Sequence, residues 1–236
     1  MSETRSHSDD SHRALSFERS VVHNAEGSVI AQSGQTKVLV TVSVQDSVPK
    51  WIRGHGWLSA EYAMVPAATK TRRMREGRGG RFDARSHEIQ RMIGRVLRAA
   101  IDLDAMPDKT LWVDCDVLAA DGGTRTTAIN GAVVALKDAC DTLLVQKRVK
   151  RSPFRHHLAA TSIGRIGDRL LVDLNYEEDS AATVDLNVVR DEQGRLIEVQ
   201  GAAEGSPFED DELRAMLDLS KPACVSIVEA QKQALA

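Results

Sequence analysis

Two groups of residues carry most of the chemistry this sequence can perform. The first is Asp121-Gly122-Gly123-Thr124-Arg125-Thr126, which follows an apolar run containing Cys115 and Val117. Glycines allow close backbone approach to a ligand and positive φ angles. Thr124 and Thr126 add hydroxyl donors, and Arg125 offers a planar, two-pronged donor to phosphate oxygens that a lysine would not match. Backbone amides, hydroxyls and a guanidinium in one turn suit a phosphate-sized anion. The turn is not the nucleotide-kinase loop, which requires Gly-x-x-x-x-Gly-Lys-Ser/Thr. A purely structural turn would explain the glycines but not the polar group as a whole. The second group is Glu177-Glu178-Asp179 with Asp185. Carboxylates brought together can hold Mg²⁺ through oxygen ligands, or one held at raised pKa can donate a proton. Acids on a surface loop are the plain alternative, but Val184 and Leu186 flank Asp185 in an apolar run.

A concentrated basic tract adds a third feature. Between Arg72 and Arg98 nine arginines stand against Glu76, Asp83 and Glu88, a formal +6 within a chain of net charge −3. An acidic protein with one basic tract is focused rather than generally adhesive. The alternative is a solvated loop and helix face. Taken together, the three groups point to phosphate chemistry on a nucleic acid.

These residues need elements to hold them. Ser28–Gln32 and Lys37–Val44 read as a hairpin around Ser33-Gly34-Gln35. Trp57–Val65 reads as an extended piece stopped by Pro66. From Glu88, residues Ile89, Met92, Ile93, Val96, Leu97, Ala100 and Ile101 form one apolar stripe at helical spacing. Arg91, Arg95 and Arg98 lie on another face, where Arg98 is expected only to keep the surface wet. Arg85 falls just before this helix, where amide donors and the dipole favour anions. Leu111–Leu118 reads as a strand, and Thr127–Leu144 as a helix after the glycine turn. Ala160–Ile166, Leu170–Asn175, Thr183–Val189 and Leu196–Gln200 read as further strands, turning at Gly167-Asp168 and Gln193-Gly194. An extended Thr183–Val189 would place Asp185 on the same side as Thr183 and Asn187. A last helix covers Asp210–Leu219, with another after Pro222. Strand runs interrupted by helices suggest an α+β fold. Both halves run strands and then helix, as duplication would produce.

Composition excludes several classes. Cys115, Cys140 and Cys224 match no metal spacing and form no disulfide framework, so a reducing compartment is expected. The histidines show no metal spacing, and no serine stands in a nucleophile elbow. Aromatics make up 4% of the chain, too few for a stacking platform along single-stranded RNA. RNA binding would therefore lean on the backbone, with weak base preference. Residues 1–16 are polar and are expected to form a loose tail, with one domain over 17–236. No apolar leader or membrane-length run is seen, so a cytoplasmic protein with no membrane partner is expected.

Several blocks in order resemble ribonuclease PH, the phosphate-dependent 3′ exoribonuclease family. They include Ala25-Glu26-Gly27-Ser28-Val29, Gly56-Trp57-Leu58-Ser59-Ala60-Glu61-Tyr62, Glu88-Ile89-Gln90-Arg91-Met92-Ile93-Gly94-Arg95, and Asp114-Cys115-Asp116-Val117 through Thr126. Tyr176-Glu177-Glu178-Asp179-Ser180, Asp185-Leu186-Asn187-Val188-Val189 and Glu198-Val199-Gln200-Gly201 through Gly205 continue them. The resemblance runs from about Ala25 to Ala230. It implies duplicated β-α halves with mixed sheets packed against helices, and a ring of six chains built as a trimer of dimers. It implies phosphorolytic trimming of tRNA precursors and other structured RNA with single-stranded 3′ ends, release of nucleoside 5′-diphosphates, and the reverse addition. Some members also process ribosomal RNA. Inorganic phosphate would be the co-substrate and Mg²⁺ the metal.

Carried onto this chain, Arg85, Thr124 and Arg125 match phosphate-binding residues, with the Gly123 and Thr124 amides nearby. Asp179 and Asp185 match the acidic pair tied to catalysis and metal; Asp185 is the better general-acid candidate and Asp179 the better metal or orienting group, though sequence does not separate the two roles. Arg72, Arg73, Arg75 and Arg78 match the basic loop that meets RNA. The chain departs from the family in three places. An Arg-x-Asp-Gly-Arg opening is replaced by Ser8-Asp9-Asp10-Ser11-His12-Arg13. Ala67 replaces an arginine before Ala68-Thr69. Asp83-Ala84 replaces Ser-Gly before Arg85, putting a negative charge near an anion site. The rivals are a non-catalytic RNA-binding ring subunit of the same fold and a structural protein whose arginines only pair between subunits.

Overall fold

The computed structural model describes residues 5, 7–75 and 83–236. The first half forms a five-stranded sheet of β1 (Leu15–Arg19), β2 (Gly27–Ser33), β3 (Thr36–Gln45), β4 (Trp57–Met64) and β5 (Thr110–Ala119), in the order β1-β2-β3-β5-β4. This sheet is mixed, because β4 pairs parallel to β5 while the other neighbours are antiparallel. The parallel pair needs a crossover, and α1 (Ala84–Ala99) supplies it. The second half forms an antiparallel sheet of β6 (Leu158–Ile166), β7 (Arg169–Val172), β8 (Val184–Asp191) and β9 (Leu196–Ala203), in the order β7-β6-β8-β9. Helices α2 (Thr124–Val145), α3 (Tyr176–Ala181) and α4 (Asp210–Leu235) complete the chain. Two strand-rich halves, each closed by helices, make the α+β architecture.

The apolar stripe of α1 buries Ile89, Met92, Ile93, Val96 and Leu97 against β4. Helix α2 has no polar face over most of its length, and it sits between the two sheets. Its close approach to β2 depends on Gly131, where an added Cβ would stand 2.6 Å from the Ala31 Cβ. Asn130 pins α2 to β6 by donating to the Ala160 carbonyl at 2.9 Å and accepting from the Ala160 amide at 2.8 Å. The helix therefore fixes one sheet relative to the other, and its N-terminus points into the space between the halves.

Several elements differ from their expected form. Residues 7–16 are not a loose tail: Arg13 is buried, Asp9 accepts from Arg169 at 2.6 Å, and β1 begins at Leu15. The strand expected over 170–175 stops at Val172 because Asp173 turns to φ 56°. Glu177-Glu178-Asp179 lies on helix α3, whose capping box joins Asn175 and Glu178. Arg85 lies inside the first turn of α1 rather than before it. Helix α4 runs through Pro222 instead of breaking there. Buried Met216, Ala223, Cys224, Ile227 and Val228 anchor α4 on both sides of that residue, offsetting the roughly 3 kcal/mol an interior proline costs. Arg98 does more than keep a face wet: it donates to the Leu58 carbonyl at 3.1 Å and lies 4.8 Å from the Trp57 ring centre. The three cysteines are free and buried. No helix among the described residues is long and apolar enough to cross a membrane.

Candidate active site

The first wall of the site is built on the start of α1. Asp83 caps this helix by accepting from the Arg85 amide at 3.1 Å, and its other oxygen accepts from Arg73 at 2.6 Å. The charge that stood out in the sequence is thus shared between a helix start and a guanidinium. The Arg85 side chain remains exposed and faces a cleft. One turn further on, Glu88 lies 3.6 Å from Arg125 and accepts from Gln200 at 2.6 Å.

The second wall is the start of α2. Thr36 holds the incoming loop, accepting from the Asp121 amide at 2.9 Å and donating to the Gly122 carbonyl at 2.6 Å. Gly122 has φ +70°, and a Cβ there would come within 2.8 Å of the Asn175 Cα. Only glycine lets this loop lie directly against the segment that leads into α3. Gly123, at φ 61°, occupies the cap position and has no side chain to serve the first-turn amides, and no acid lies in that turn. Unserved amides at a helix start favour an anion. Tyr62 on β4 donates to the Thr124 hydroxyl at 2.8 Å. Burial pushes the Tyr62 phenol up, against the opposing effects of its Thr124 bond and of Arg85 and Arg125, so it stays a donor. Thr124 accepts that bond and keeps its own hydroxyl hydrogen for a ligand.

The floor and third wall come from the second half. Asp185 on β8 lies opposite Gly164 on β6 and Ala202 on β9. A Cβ at Gly164 would stand 2.4 Å from a Leu174 methyl, so glycine there makes room for the Leu174 side chain. Asn187, on the same side of the strand, is buried and donates to Asp185 at 3.5 Å. The Asp185 carboxyl is raised above the usual aspartate range, first by burial and then by Asp179 and Glu204, with Arg125 opposing. Asp179 on α3 is exposed at the rim. Arg85, Gly123, Thr124, Arg125, Asp179 and Asp185 all line one cleft of about 490 Å³. Among the described residues its walls also hold Glu88 and Glu204, so two guanidiniums meet four carboxylates, a formal −2.

A buried strut holds these walls together, and its residues were missed in the sequence. The Arg13 guanidinium donates to Asp173 at 2.7 and 2.9 Å, to the Asp121 carbonyl at 2.6 Å and to the Leu174 carbonyl at 3.3 Å. The anion-loop entry and the segment before α3 thus share one cation. Burial alone would raise Asp173, but the Arg13 hydrogen bonds and charge bring it below the ordinary value of 3.8. Its stabilising contribution is present above that ordinary value and is lost as pH falls through the depressed folded one. Arg13→Ala leaves a buried carboxylate unpaired and should destabilise the fold by about 3–5 kcal/mol. Urea titration at neutral pH checks this, and a loss below about 1 kcal/mol would remove the strut from the account.

Models of the 3′ exoribonuclease family match residues 11–140 as its domain 1 and residues 156–223 as its domain 2. The chain belongs to the ribonuclease PH family. The first match ends within α2 and the second begins just before β6. The chain is similar in fold to rice (Oryza sativa) Rrp46, with 18% identity, TM-score 0.81, and 98% of this chain and 99% of that one covered. It is likewise similar in fold to a chain of the Archaeoglobus fulgidus exosome with RNA bound to the active site, with 22% identity, TM-score 0.81, and coverage of 98% and 91%. A chain of an archaeal exosome core gives 21% identity, TM-score 0.77, and coverage of 98% and 90%.

Of the basic positions expected to meet RNA, Arg72, Arg73 and Arg75 do not line the cleft. Arg72 and Arg75 are exposed, while Arg73 is paired with Asp83. Arg78 lies outside the described residues. If Arg72 and Arg75 bind RNA phosphates, replacing both with alanine should lower the slope of log affinity against log salt by about 2. RNA titrations at several salt concentrations read this directly, and an unchanged slope would take them out of the RNA path.

Proposed function

We propose that this protein is a phosphorolytic 3′ exoribonuclease that trims tRNA precursors. The observation that carries the reading is the convergence of Arg85, Arg125 and the unserved α2 amides with Asp179 and Asp185 in one cleft. Arg85, Arg125, Thr124 and the Gly123 and Thr124 amides bind inorganic phosphate and orient one oxygen toward the terminal phosphodiester. As that oxygen bonds to phosphorus, the bond from phosphorus to the 3′ oxygen of the preceding nucleotide breaks. Asp185, whose carboxyl is raised by burial and by Asp179, is the proton donor to the departing oxygen. The products are a shortened RNA and a nucleoside 5′-diphosphate. The phosphodiester bond that breaks is exchanged for the phosphoanhydride bond of the diphosphate, so nucleoside diphosphates extend RNA ends in reverse. The same chemistry serves ribosomal RNA ends.

A cleft of formal −2 has to accept two more anions, and a divalent cation relieves that repulsion. Among the described residues there is no cluster of three or more His, Cys, Asp or Glu side chains able to hold a metal. Magnesium needs none, since one or two carboxylates plus substrate phosphates suffice. Asp179 and Asp185 fit that donor set, and bound Mg²⁺ would offset charge on the phosphate oxygens. Asp179 is the better ligand, being exposed, and Asp185 the better acid.

The cleft's negative balance also favours a second reading, an RNA-binding ring subunit that does not cut. In either reading the chain assembles with copies of itself, and a hexameric ring is the proposed form. Purified protein incubated with a 3′-extended tRNA separates the two readings. Shortening that requires added phosphate supports the enzyme. Shortening that is equal in phosphate-free buffer, or absent in both, refutes it.

A further inference from the structure

The end of the molecule opposite the cleft carries a cationic surface. Helix α2 spans 22 residues, about 33 Å at the usual rise, with its start at the cleft and its end at Val145. The chain then runs through Lys147, Arg148, Lys150, Arg151 and Arg155 without an acid. This segment has a fixed path. Phe154 bridges Ile101, the Asp102 amide donates to the Pro153 carbonyl at 2.7 Å, and the Arg155 amide donates to the Ala100 carbonyl at 2.8 Å. The loop after β3 joins it through Arg148, which lies 3.2 Å from Asp46. That loop exposes Lys50, Trp51 and Arg53, with Trp51 67% exposed. Trp51 stands edge-on to Trp57, their ring centres 4.8 Å apart.

The charges of this surface are unequally used. Arg151 and Arg155 share Asp102, and Arg148 pairs with Glu26 and Asp46. Lys50, Arg53, Lys147 and Lys150 make no ion pair with the described residues. A held indole beside uncompensated cations complements a strand that offers phosphates and flat bases.

We propose that this surface binds the body of the RNA whose 3′ end enters the cleft, with lysines on phosphates and Trp51 stacked on a base. The proposal rests on the reading of the cleft as an RNA site and extends it to a second contact on the same substrate. A substrate too short to span the molecule would not feel it.

The test is fluorescence anisotropy without phosphate, using a 3′-extended tRNA and a tetranucleotide, on the wild type, on Lys147→Glu/Lys150→Glu and on Trp51→Ala. The charge reversals remove no ion pair among the described residues, and thermal melts check folding. The double variant should weaken tRNA binding about tenfold and lower the salt slope by about 2, with the tetranucleotide unchanged. Trp51→Ala should weaken tRNA binding roughly tenfold. Unchanged tRNA affinity, or equal losses for both RNAs, would overturn the proposal. Sedimentation equilibrium runs alongside: dissociation of the oligomer in the double variant with full RNA affinity per chain would assign the surface to a contact between copies and overturn it. A wild type that binds tRNA through this surface yet never shortens it would refute the cleft chemistry alone.

Discussion

Asp185→Asn should lower phosphorolytic turnover by about 10²–10⁴-fold, the range a general acid supplies. The amide matches the carboxyl in shape and cannot give up its proton in the same way, so the phosphate half-saturation should stay within about twofold. The pH dependence gives the sign of the effect. Burial and the Asp179 charge raise the Asp185 carboxyl. Its acid form therefore persists to higher pH than in an ordinary aspartate, and activity falls as pH rises through the raised value. Asp179→Asn removes one raising charge and should move that alkaline limb to lower pH. The paired measurement is turnover against pH for the wild type and Asp179→Asn, at saturating phosphate. A limb that stays in place would exchange the roles of the two acids.

Arg125→Ala should raise the phosphate half-saturation by roughly 10- to 150-fold, since a charged hydrogen bond is worth about 1.5–3 kcal/mol. The loss has two parts. A planar donor aimed at phosphate oxygens disappears, and Glu88 loses the guanidinium that lies 3.6 Å away. The cleft's charge becomes more negative as a result. Arg125→Lys should recover only part of the loss, because an ammonium lacks the fork. Initial rates against phosphate concentration, with RNA saturating, check both variants. A normal phosphate dependence in Arg125→Ala would withdraw this residue from the anion site.

Much of this site was legible because its residues advertise themselves by type. Gly122, Gly123, Thr124 and Arg125 read as an anion turn from composition alone, and the alternation Val184, Asp185, Leu186 set one carboxylate apart on a strand. The α1 stripe was equally plain, since Ile89, Met92, Ile93, Val96 and Leu97 repeat at helical spacing and all are buried. What periodicity leaves silent is contact between segments distant in sequence. Arg13 lies in a polar stretch that reads as solvent-loving, yet Asp173, 160 residues away, draws it inside. Tyr62 occupies an ordinary inward strand position, and only the approach of α2 to β4 makes its hydroxyl a holder of Thr124.

Other differences have local causes that a closer reading of caps would have found. Helix α3 is announced by Asn175 and Glu178 at capping-box spacing, although three consecutive acids are equally common on a surface loop. Pro222 signals a helix end by local rule, and the apolar face of α4 overrides it by burying residues on both flanks. The Asp83 substitution looked harmful beside an anion site because charge was read without partners. Its carboxylate in fact joins Arg73 to the first turn of α1.

The central claim is that inorganic phosphate, held in the cleft between the two halves, is the group that attacks the last linkage of an RNA chain. The most direct measurement supplies ³²P-labelled inorganic phosphate with an unlabelled 3′-extended tRNA and separates the small products. The account predicts label in nucleoside 5′-diphosphates, appearing in step with shortening of the RNA. Unlabelled nucleoside monophosphates, or RNA that shortens with no label transferred, would contradict it.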